Sequence, residues 1–135
     1  MFTTETRIRV RYGETDQMGY VYYGRYAEYY EVGRTEMIRQ LGMTYRYMEE
    51  KGVLLPVVNL TINYKRPARY DDLITIKTTL REMPTARITF HYEIFNEAGD
   101  LLNHGHAVLV FTDPHSRRPT RPPEELMLAL QPFFD

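Results

Sequence analysis

Residues 12 to 26 read YGETDQMGYVYYGRY, a stretch that combines a carboxylate, loop glycines and the start of a helical pattern. Asp16 lies in its turn-like part, and a helix is predicted to begin near Tyr22 or Tyr23 and to run to Leu41. The first N–H groups of a helix have no internal acceptor and lie at the positive end of its dipole, so they can stabilise a negative oxygen. The stretch therefore predicts a loop that presents an acidic side chain beside free amides.

Apolar residues recur every three or four positions after this loop, as on one face of a helix. They are Tyr23, Tyr26, Ala27, Tyr30, Met37, Ile38 and Leu41. Gly33 in mid-helix costs about 1 kcal/mol against alanine, so we expect another element to pack closely against it. Arg34 falls on the apolar stripe with Glu31 three residues earlier. Two interpretations of this pair stay open, namely a partly buried ion pair at a pocket or interface and an ordinary pair at the helix edge.

Five stretches predict β-strands, because apolar and polar residues alternate along them. They are residues 6–12, 58–64, 74–80, 88–94 and 101–112. The last stretch is more continuously apolar than the others, so we expect it to be covered on both faces.

The links between the later strands are short and rich in Pro, Gly, Asn or Asp, which favours an antiparallel meander. They are residues 65–72, 82–86 and 96–100. A short helix is predicted from Thr44 to Glu50 or Lys51. Another should begin after Pro122. One long helix with a run of antiparallel strands indicates an α+β domain over residues 1–135.

Composition restricts the class of protein further. The chain has 135 residues, 43% of them hydrophobic, which suits one core in one domain. Its formal net charge of -1, with acidic and basic residues interspersed, gives no basic surface for nucleic acid. No run is apolar enough for a membrane span, the first residues lack signal-peptide features, and there is no cysteine. We therefore expect a cytoplasmic protein with no nucleic-acid partner.

Two motifs in this sequence resemble those of a known family. The first is Tyr12-x-x-Thr15-Asp16-x-x-Gly19-x-Val21-Tyr22-x-x-x-Tyr26, followed by Glu31-x-x-Arg34, and the second is Tyr64-Lys65-Arg66-Pro67-Ala68-x-x-x-Asp72. With the closing Arg117-Arg118-Pro119, they make the chain similar over nearly its whole length to hotdog-fold acyl-CoA thioesterases of the 4-hydroxybenzoyl-CoA thioesterase type. The resemblance implies a hotdog fold, in which a curved antiparallel sheet of about five strands wraps one long helix.

The resemblance also implies which residues act on a thioester. In similar proteins the aspartate at the position of Asp16 is the catalytic group, as general base or nucleophile, and the amides of Tyr23 and Gly24 are expected to hold the oxyanion. The residues expected to contact the substrate are Gly19, Val21, Tyr26, Glu31, Asn59, Thr61 and Arg66. From the local pattern alone, Asp16 could instead simply cap a turn or a helix.

Two positions place the chain within this family. Members similar to the Tol–Pal-associated bacterial thioesterases carry a histidine where this chain has Tyr23, and the tyrosine matches the hydroxybenzoyl-type branch instead. That branch has an acidic residue at the position of Glu31, which faces the substrate's phenol in its type member. Because this chain has Glu rather than Asp there, aromatic and aliphatic acyl groups both remain open.

The histidines are weaker signals. His104 and His106 lie on one face of a predicted strand, a spacing that suits a pair of metal ligands, but the sequence shows no third ligand. We therefore expect surface or interface histidines, no metal, and no cofactor apart from the coenzyme A of the substrate. His91 on the polar face of its strand and His115 in a loop are not catalytic candidates.

A small sheet packed on one helix leaves an outer face and strand edges to be covered, which favours self-association. Similar hotdog proteins are dimers with the active site at the subunit boundary, often paired further. A homodimer, as a dimer of dimers, is therefore expected, with Asn59, Thr61 and Asn63 as residues given by the second protomer.

Two alternative functions remain open at this stage. One is a non-catalytic hotdog module that binds acyl-CoA or a protein. The other is a hotdog hydratase or dehydratase, which normally needs an acid–base pair that includes histidine. Since no histidine follows Asp16 until His91, the sequence disfavours the second alternative.

Overall fold

The strands and helices of the computed structural model, which covers residues 1–135, follow the order predicted for an α+β domain. The strands are β1 (Phe2–Arg9), β2 (Val57–Tyr64), β3 (Leu73–Leu80), β4 (Arg87–Phe95) and β5 (Leu101–Val110). The helices are α1 (Arg25–Gln40), α2 (Tyr45–Glu50) and α3 (Glu124–Leu130), with 3₁₀ turns at Tyr12–Glu14 and Gln131–Phe133. Thr44 caps α2 as predicted, since its hydroxyl accepts a hydrogen bond from the Tyr47 N–H at 3.0 Å.

The five strands form one antiparallel sheet in the order β1-β3-β4-β5-β2. Strands β3, β4 and β5 form the expected meander, but β2 pairs with β5 rather than with β3, so the meander prediction was wrong for the link 65–72. This link does not turn back as a hairpin, because it packs on the Asp16 loop. The Val21 N–H donates to the Ala68 carbonyl at 2.8 Å, and the Lys65 N–H donates to the Leu102 carbonyl at 2.8 Å.

Helix α1 packs across the inner face of the sheet, mainly against β1, β3 and β4. Gly33 marks the closest approach. A Cβ atom placed there would lie 2.6 Å from the Thr78 hydroxyl and 2.8 Å from a methyl group of Ile76. The prediction of close packing at Gly33 is therefore confirmed, and the missing side chain lets helix and sheet share one core.

Several boundaries differ from the predicted ones. Helix α1 begins at Arg25 rather than at Tyr22 or Tyr23, because the Arg25 N–H already bonds the Tyr22 carbonyl in a turn before the helix. Strand β1 covers Phe2–Arg9 rather than 6–12, since pairing with β3 extends along its whole length and a 3₁₀ turn follows.

Strand β5 ends at Val110 rather than at Thr112, and it is covered on one face only. Its inward residues Ala107 and Leu109 are buried, whereas the outward His104, His106 and Val108 are partly exposed. The expected cover on both faces is therefore absent in the single chain.

Arg34 and Glu31 do not form the ion pair considered from the sequence. The Arg34 side chain is buried and its Nη1 donates to the Tyr92 hydroxyl at 3.4 Å, whereas Glu31 is exposed. Both interpretations of this pair were wrong, because the apolar stripe of α1 carries Arg34 toward Tyr92 on β4 while Glu31 lies on the solvent side of the helix.

Candidate active site

Asp16 lies in a tight loop that fixes one of its two carboxylate oxygens. The Asp16 N–H donates to the Tyr20 carbonyl at 2.8 Å, and Gly19 has a φ of 77°, a conformation that favours glycine. Oδ1 of Asp16 accepts hydrogen bonds from the N–H groups of Met18 at 2.9 Å and Tyr20 at 3.3 Å. Oδ2 accepts no hydrogen bond from the protein. The carboxylate is therefore oriented through one oxygen and free at the other.

The loop is attached to α1 through the buried side chain of Glu14. Its Oε1 accepts a hydrogen bond from the Tyr29 hydroxyl at 3.1 Å and another from the Arg11 N–H at 2.8 Å. The Tyr22 N–H donates to the Glu14 carbonyl at 2.9 Å. Burial raises the pKa of Tyr29, and the Glu14 charge raises it further, so the phenol stays a donor. These contacts hold both ends of the Asp16 loop against the helix.

The N-terminus of α1 offers two amides without a hydrogen-bond partner. The N–H groups of Tyr23 and Gly24 meet no acceptor, whereas the next amide, from Arg25, bonds the Tyr22 carbonyl at 2.9 Å. A Cβ on Gly24 would lie 2.8 Å from the ring of the exposed Tyr22 side chain, so a larger residue would require that ring to move. Free amides at a helix N-terminus are suited to hold a negative oxygen.

A cavity of about 320 Å³ joins the Asp16 loop, the start of α1 and the end of β2. Most of its lining is aromatic or aliphatic, with two cationic side chains at one side. The lining residues are Asp16, Met18, Tyr20, Val21, Tyr23, Tyr26, Tyr64, Lys65, Arg66 and Pro67. An apolar slot with one carboxylate and an adjacent basic edge suits an acyl group attached to a charged carrier.

The structure brings half of the predicted site residues together. Asp16, Val21, Tyr23, Tyr26 and Arg66 all line the cavity. Of the two predicted glycines, Gly24 follows Tyr23, and Gly19 lies between two further lining residues. Tyr26 also has a structural role, since its buried hydroxyl accepts a hydrogen bond from the Ala68 N–H at 3.1 Å. Burial raises the pKa of Tyr26, and the Ala68 hydrogen bond opposes that shift.

Three predicted substrate contacts lie away from this cavity within one chain. Glu31 is exposed two turns along α1, and Asn59 and Thr61 lie on the outer face of β2. Neither the helix nor the strand carries these side chains to Asp16, because each points away from the inner face of the sheet. Their predicted role therefore depends on a second chain.

Sequence reasoning missed Tyr64 as a site residue, although it stands first in the second motif. Its ring lies 5.7 Å from the Tyr26 ring, and its hydroxyl donates to the Tyr23 carbonyl at 3.4 Å. The signal in the sequence was an aromatic residue at the very end of a strand, next to a basic proline segment. Met18 and Pro67 were also missed as lining residues.

No histidine lines the cavity. His91, His104 and His106 lie on the outer face of the sheet, and His115 lies in the loop after β5. Burial lowers the pKa of His91, and the charges of Arg81 and His106 lower it further. The catalytic candidates are thus the carboxylate and the amides described above. None of the helices is long and apolar enough to cross a bilayer.

Comparisons with known proteins agree on one family. Residues 10–130 match the family model described as "Thioesterase-like superfamily". The chain is 40% identical over 119 residues to YneP of Bacillus subtilis, provisionally named an acyl-CoA thioesterase, which covers 88% of this chain and 86% of the relative. It is 32% identical over 120 residues to the acyl-CoA thioester hydrolase YbgC of Escherichia coli, covering 89% of this chain and 90% of the relative.

The solved structures give the same result for the fold. A DHNA-CoA thioesterase from Staphylococcus aureus superimposes with a TM-score of 0.86 at 36% identity, over 99% of this chain and 85% of that one. This similarity confirms the hotdog fold that the resemblance implied.

Proposed function

The chain belongs to the thioesterase-like superfamily, and from this membership we propose that it is an acyl-CoA thioesterase, which hydrolyses an acyl-CoA to a free carboxylic acid and coenzyme A. The observation that carries the proposal is the oriented Asp16 carboxylate, which has one oxygen without a hydrogen bond and lines the same cavity as Tyr23 at the start of α1. A thioester carbonyl needs little beyond an attacking oxygen, an oxyanion site and an apolar slot. The proposed reaction uses water and no cofactor.

Asp16 can attack in two ways that use the same oxygen. As a general base, Oδ2 takes a proton from water while the water oxygen adds to the thioester carbon, and the coenzyme A thiolate leaves with a proton. As a nucleophile, Oδ2 adds to the carbon itself and expels the thiolate, and water then cleaves the resulting anhydride. In a single turnover in heavy-oxygen water, an unlabelled acid identifies the nucleophilic route, because an Asp16 oxygen enters the acid only when water cleaves the anhydride at its Asp16 carbonyl.

The amides of Tyr23 and Gly24 are proposed to hold the thioester oxygen as it becomes negative. They lack competing acceptors and lie at the positive end of the α1 dipole. Donors fixed before the reaction stabilise the oxyanion without reorganisation, and loss of one such donor typically costs about 10²–10³-fold in kcat.

The remaining predicted substrate contacts fall into two groups, the apolar walls of the cavity and its basic edge. Val21 and Tyr26 form buried walls, and Gly19 allows close approach of the loop backbone. Arg66, together with Lys65, is proposed to meet the phosphates of coenzyme A at the basic edge. Arg66 also bonds Asp100 at 3.3 Å, an exposed pair that phosphate could displace.

We further propose a homodimer that pairs through β2, with dimers associating in pairs. Strand β2 is an edge strand, and its Val58 and Leu60 side chains are 54% and 41% exposed. In a two-fold pair the β2 strands run antiparallel, which would bring the Asn59 end of one strand beside the Tyr64 end of the other. Such pairing would bring a second chain beside the Tyr64 wall of the cavity, and we propose that Asn59, Thr61 and Glu31 complete the substrate site from that chain.

The decisive test is Asp16→Asn, assayed by thiol release from short, long and aromatic acyl-CoAs. The amide keeps the size of the side chain and removes the charge and basicity, so we expect kcat to fall about 10²–10⁴-fold while folding and assembly persist. Asp71→Asn makes the same chemical change in an exposed loop and should retain full activity. We also propose that the protein is cytoplasmic, which cell fractionation would test separately.

Full activity in Asp16→Asn would overturn the mechanism. Saturable binding of acyl-CoA by the unmodified chain without any thiol release would instead support a non-catalytic binding module. The lack of histidine in the cavity gives the hydratase alternative no support.

A further inference from the structure

Two buried side chains form the floor of the cavity beside Asp16. Val21 and Tyr26 are 4% and 3% exposed, whereas the other lining side chains are exposed or partly exposed and form its rim. All lining residues lie within 16–26 and 64–67, so none of them belongs to β3, β4 or β5. The cavity therefore ends at its floor and does not continue between α1 and the central strands.

Three contacts hold the Tyr26 side chain in the floor. Its hydroxyl accepts a hydrogen bond from the Ala68 N–H at 3.1 Å. Its ring packs edge-on against the Tyr29 ring, with 5.8 Å between the centroids, and its centroid lies 5.7 Å from that of Tyr64. A ring that is held by a hydrogen bond and by two aromatic neighbours keeps one position. Tyr26 is therefore a rigid part of the floor.

The core next to Tyr26 is filled by further aromatic rings. Tyr29 and Tyr30 follow it along α1, and they are only 2% and 0% exposed. The Tyr30 ring stacks on the Tyr92 ring with 4.1 Å between the centroids, and the Tyr30 hydroxyl donates to Oδ1 of Asn103 at 2.7 Å. Protein interiors are close-packed, so a ligand does not extend through rings that are fixed in this way. An acyl group that enters from the rim must end at Tyr26.

We propose that Tyr26 sets the longest acyl group that the cavity accepts and so determines the specificity of the enzyme. This inference rests on the proposed thioesterase function, in which the thioester lies between Asp16 and the amides of Tyr23 and Gly24. Coenzyme A then extends toward the basic edge at Lys65, which leaves the floor to the acyl group. Burial of each methylene in an apolar pocket should raise kcat/KM about fourfold, whereas methylenes at the exposed rim add nothing.

The dependence of kcat/KM on acyl length tests the proposal, measured as thiol release from saturated acyl-CoAs between acetyl and dodecanoyl. For the unmodified protein we expect a rise of about fourfold per methylene up to one length, and no rise beyond this break. Tyr26→Leu removes the ring and deepens the floor, so its break should move to longer acyl groups. Tyr26→Phe keeps the ring and should keep the break. Tyr30→Leu is the matched control, because it truncates a buried tyrosine of the same helix that does not line the cavity, and its break should not move.

Binding of S-alkyl coenzyme A thioethers, which contain no cleavable thioester, gives a second measurement that does not depend on turnover. Calorimetric affinities should rise with alkyl length and show the same break, which again moves in Tyr26→Leu and stays in Tyr30→Leu. A break in binding without any thiol release would contradict the proposed thioesterase function but support the role of Tyr26.

Two results would overturn the role of Tyr26. One is an affinity and a kcat/KM that keep rising through the dodecyl chain in the unmodified protein, which would mean that the chain leaves the cavity by its open side. The other is a break that stays at the same length in Tyr26→Leu. Circular dichroism establishes that each variant is folded, and Tyr26→Met replaces Tyr26→Leu if the leucine variant is not.

Discussion

The two oxygens of the Asp16 carboxylate differ in their hydrogen bonds. Oδ1 is bound to the amides of Met18 and Tyr20, the ordinary capping role of an aspartate in a turn. Oδ2 accepts no hydrogen bond from the chain. Capping and the proposed catalysis are therefore compatible at this position, because the hydrogen bonds on one oxygen fix the orientation of the carboxylate and leave the other oxygen free.

Tyr64 is expected to position the oxyanion site through the Tyr23 carbonyl. The carbonyl and the N–H of one trans peptide point in opposite directions, so a carbonyl held by the Tyr64 hydroxyl directs the Gly24 N–H away from Tyr64. Tyr64→Phe removes this hydrogen bond and keeps the ring. With about 0.5–1.5 kcal/mol lost, kcat should fall about 2–10-fold with little change in KM.

Tyr70→Phe is the control for Tyr64→Phe, because Tyr70 is similarly exposed and its hydroxyl makes no hydrogen bond within the chain. Steady-state kinetics with one acyl-CoA distinguish the possible roles. A raised KM with unchanged kcat would mean that Tyr64 only lines the slot and does not position the peptide.

Among the elements, α1 depends on a single missing side chain for its distance from the sheet. Gly33→Ala would place a methyl group 2.6 Å from the Thr78 hydroxyl and 2.8 Å from Ile76. Overpacking costs about 1–3 kcal/mol, and the better helix propensity of alanine returns about 1 kcal/mol. Because both contacts are shorter than 3.0 Å, the cost should lie near the top of its range, so we expect the free energy of unfolding in urea to fall by about 2 kcal/mol.

Gly13→Ala serves as the comparison for Gly33→Ala, because no atom lies within 4 Å of the added methyl group. Its unfolding free energy should change by less than about 0.5 kcal/mol. Equal stability of Gly33→Ala and the unmodified chain would show that helix and sheet can move apart without cost, so that their close contact at Gly33 contributes nothing to stability.

Local periodicity predicted the elements well because burial on one face repeats along each of them. The pattern located α1 and the strands to within a few residues. It did not predict that β2 pairs with β5, since strand order depends on where the link 65–72 packs, and that link is held by Val21 and Leu102 far away in the sequence.

The site followed the same rule. Residues close together in the sequence, such as Asp16 and Tyr23, were predicted to belong to one site. Tyr64 was missed as a site residue because its contact with Tyr23 spans 41 residues and depends on the sheet register. Contacts across the fold leave no periodic trace in a single sequence.

At the scale of the whole molecule, one edge strand of the sheet, β2, is not covered by helix α1. Helix α1 packs mainly against β1, β3 and β4, which leaves the inward side chains of β2 exposed at the edge. Tyr64 at the end of this strand is a wall of the cavity. A chain that pairs with β2 would therefore cover apolar surface and reach the substrate site at once, which links assembly to activity.

Leu60→Glu tests this link between assembly and activity, because it places a charge at the centre of the β2 edge. Burying an unpaired carboxylate in an interface is unfavourable, so the variant should elute as a single chain of 16.1 kDa, and the unmodified protein as a multiple of that mass. A site that lacks its second chain should lose at least about tenfold in kcat/KM, since small misplacements of reacting groups cost up to about 100-fold. Leu128→Glu makes the same change at an exposed leucine on α3 and should alter neither property. If the Leu60→Glu variant still elutes as an oligomer, β2 is not the interface. If the Leu60→Glu variant is a monomer with full activity, the catalytic site is complete within one chain.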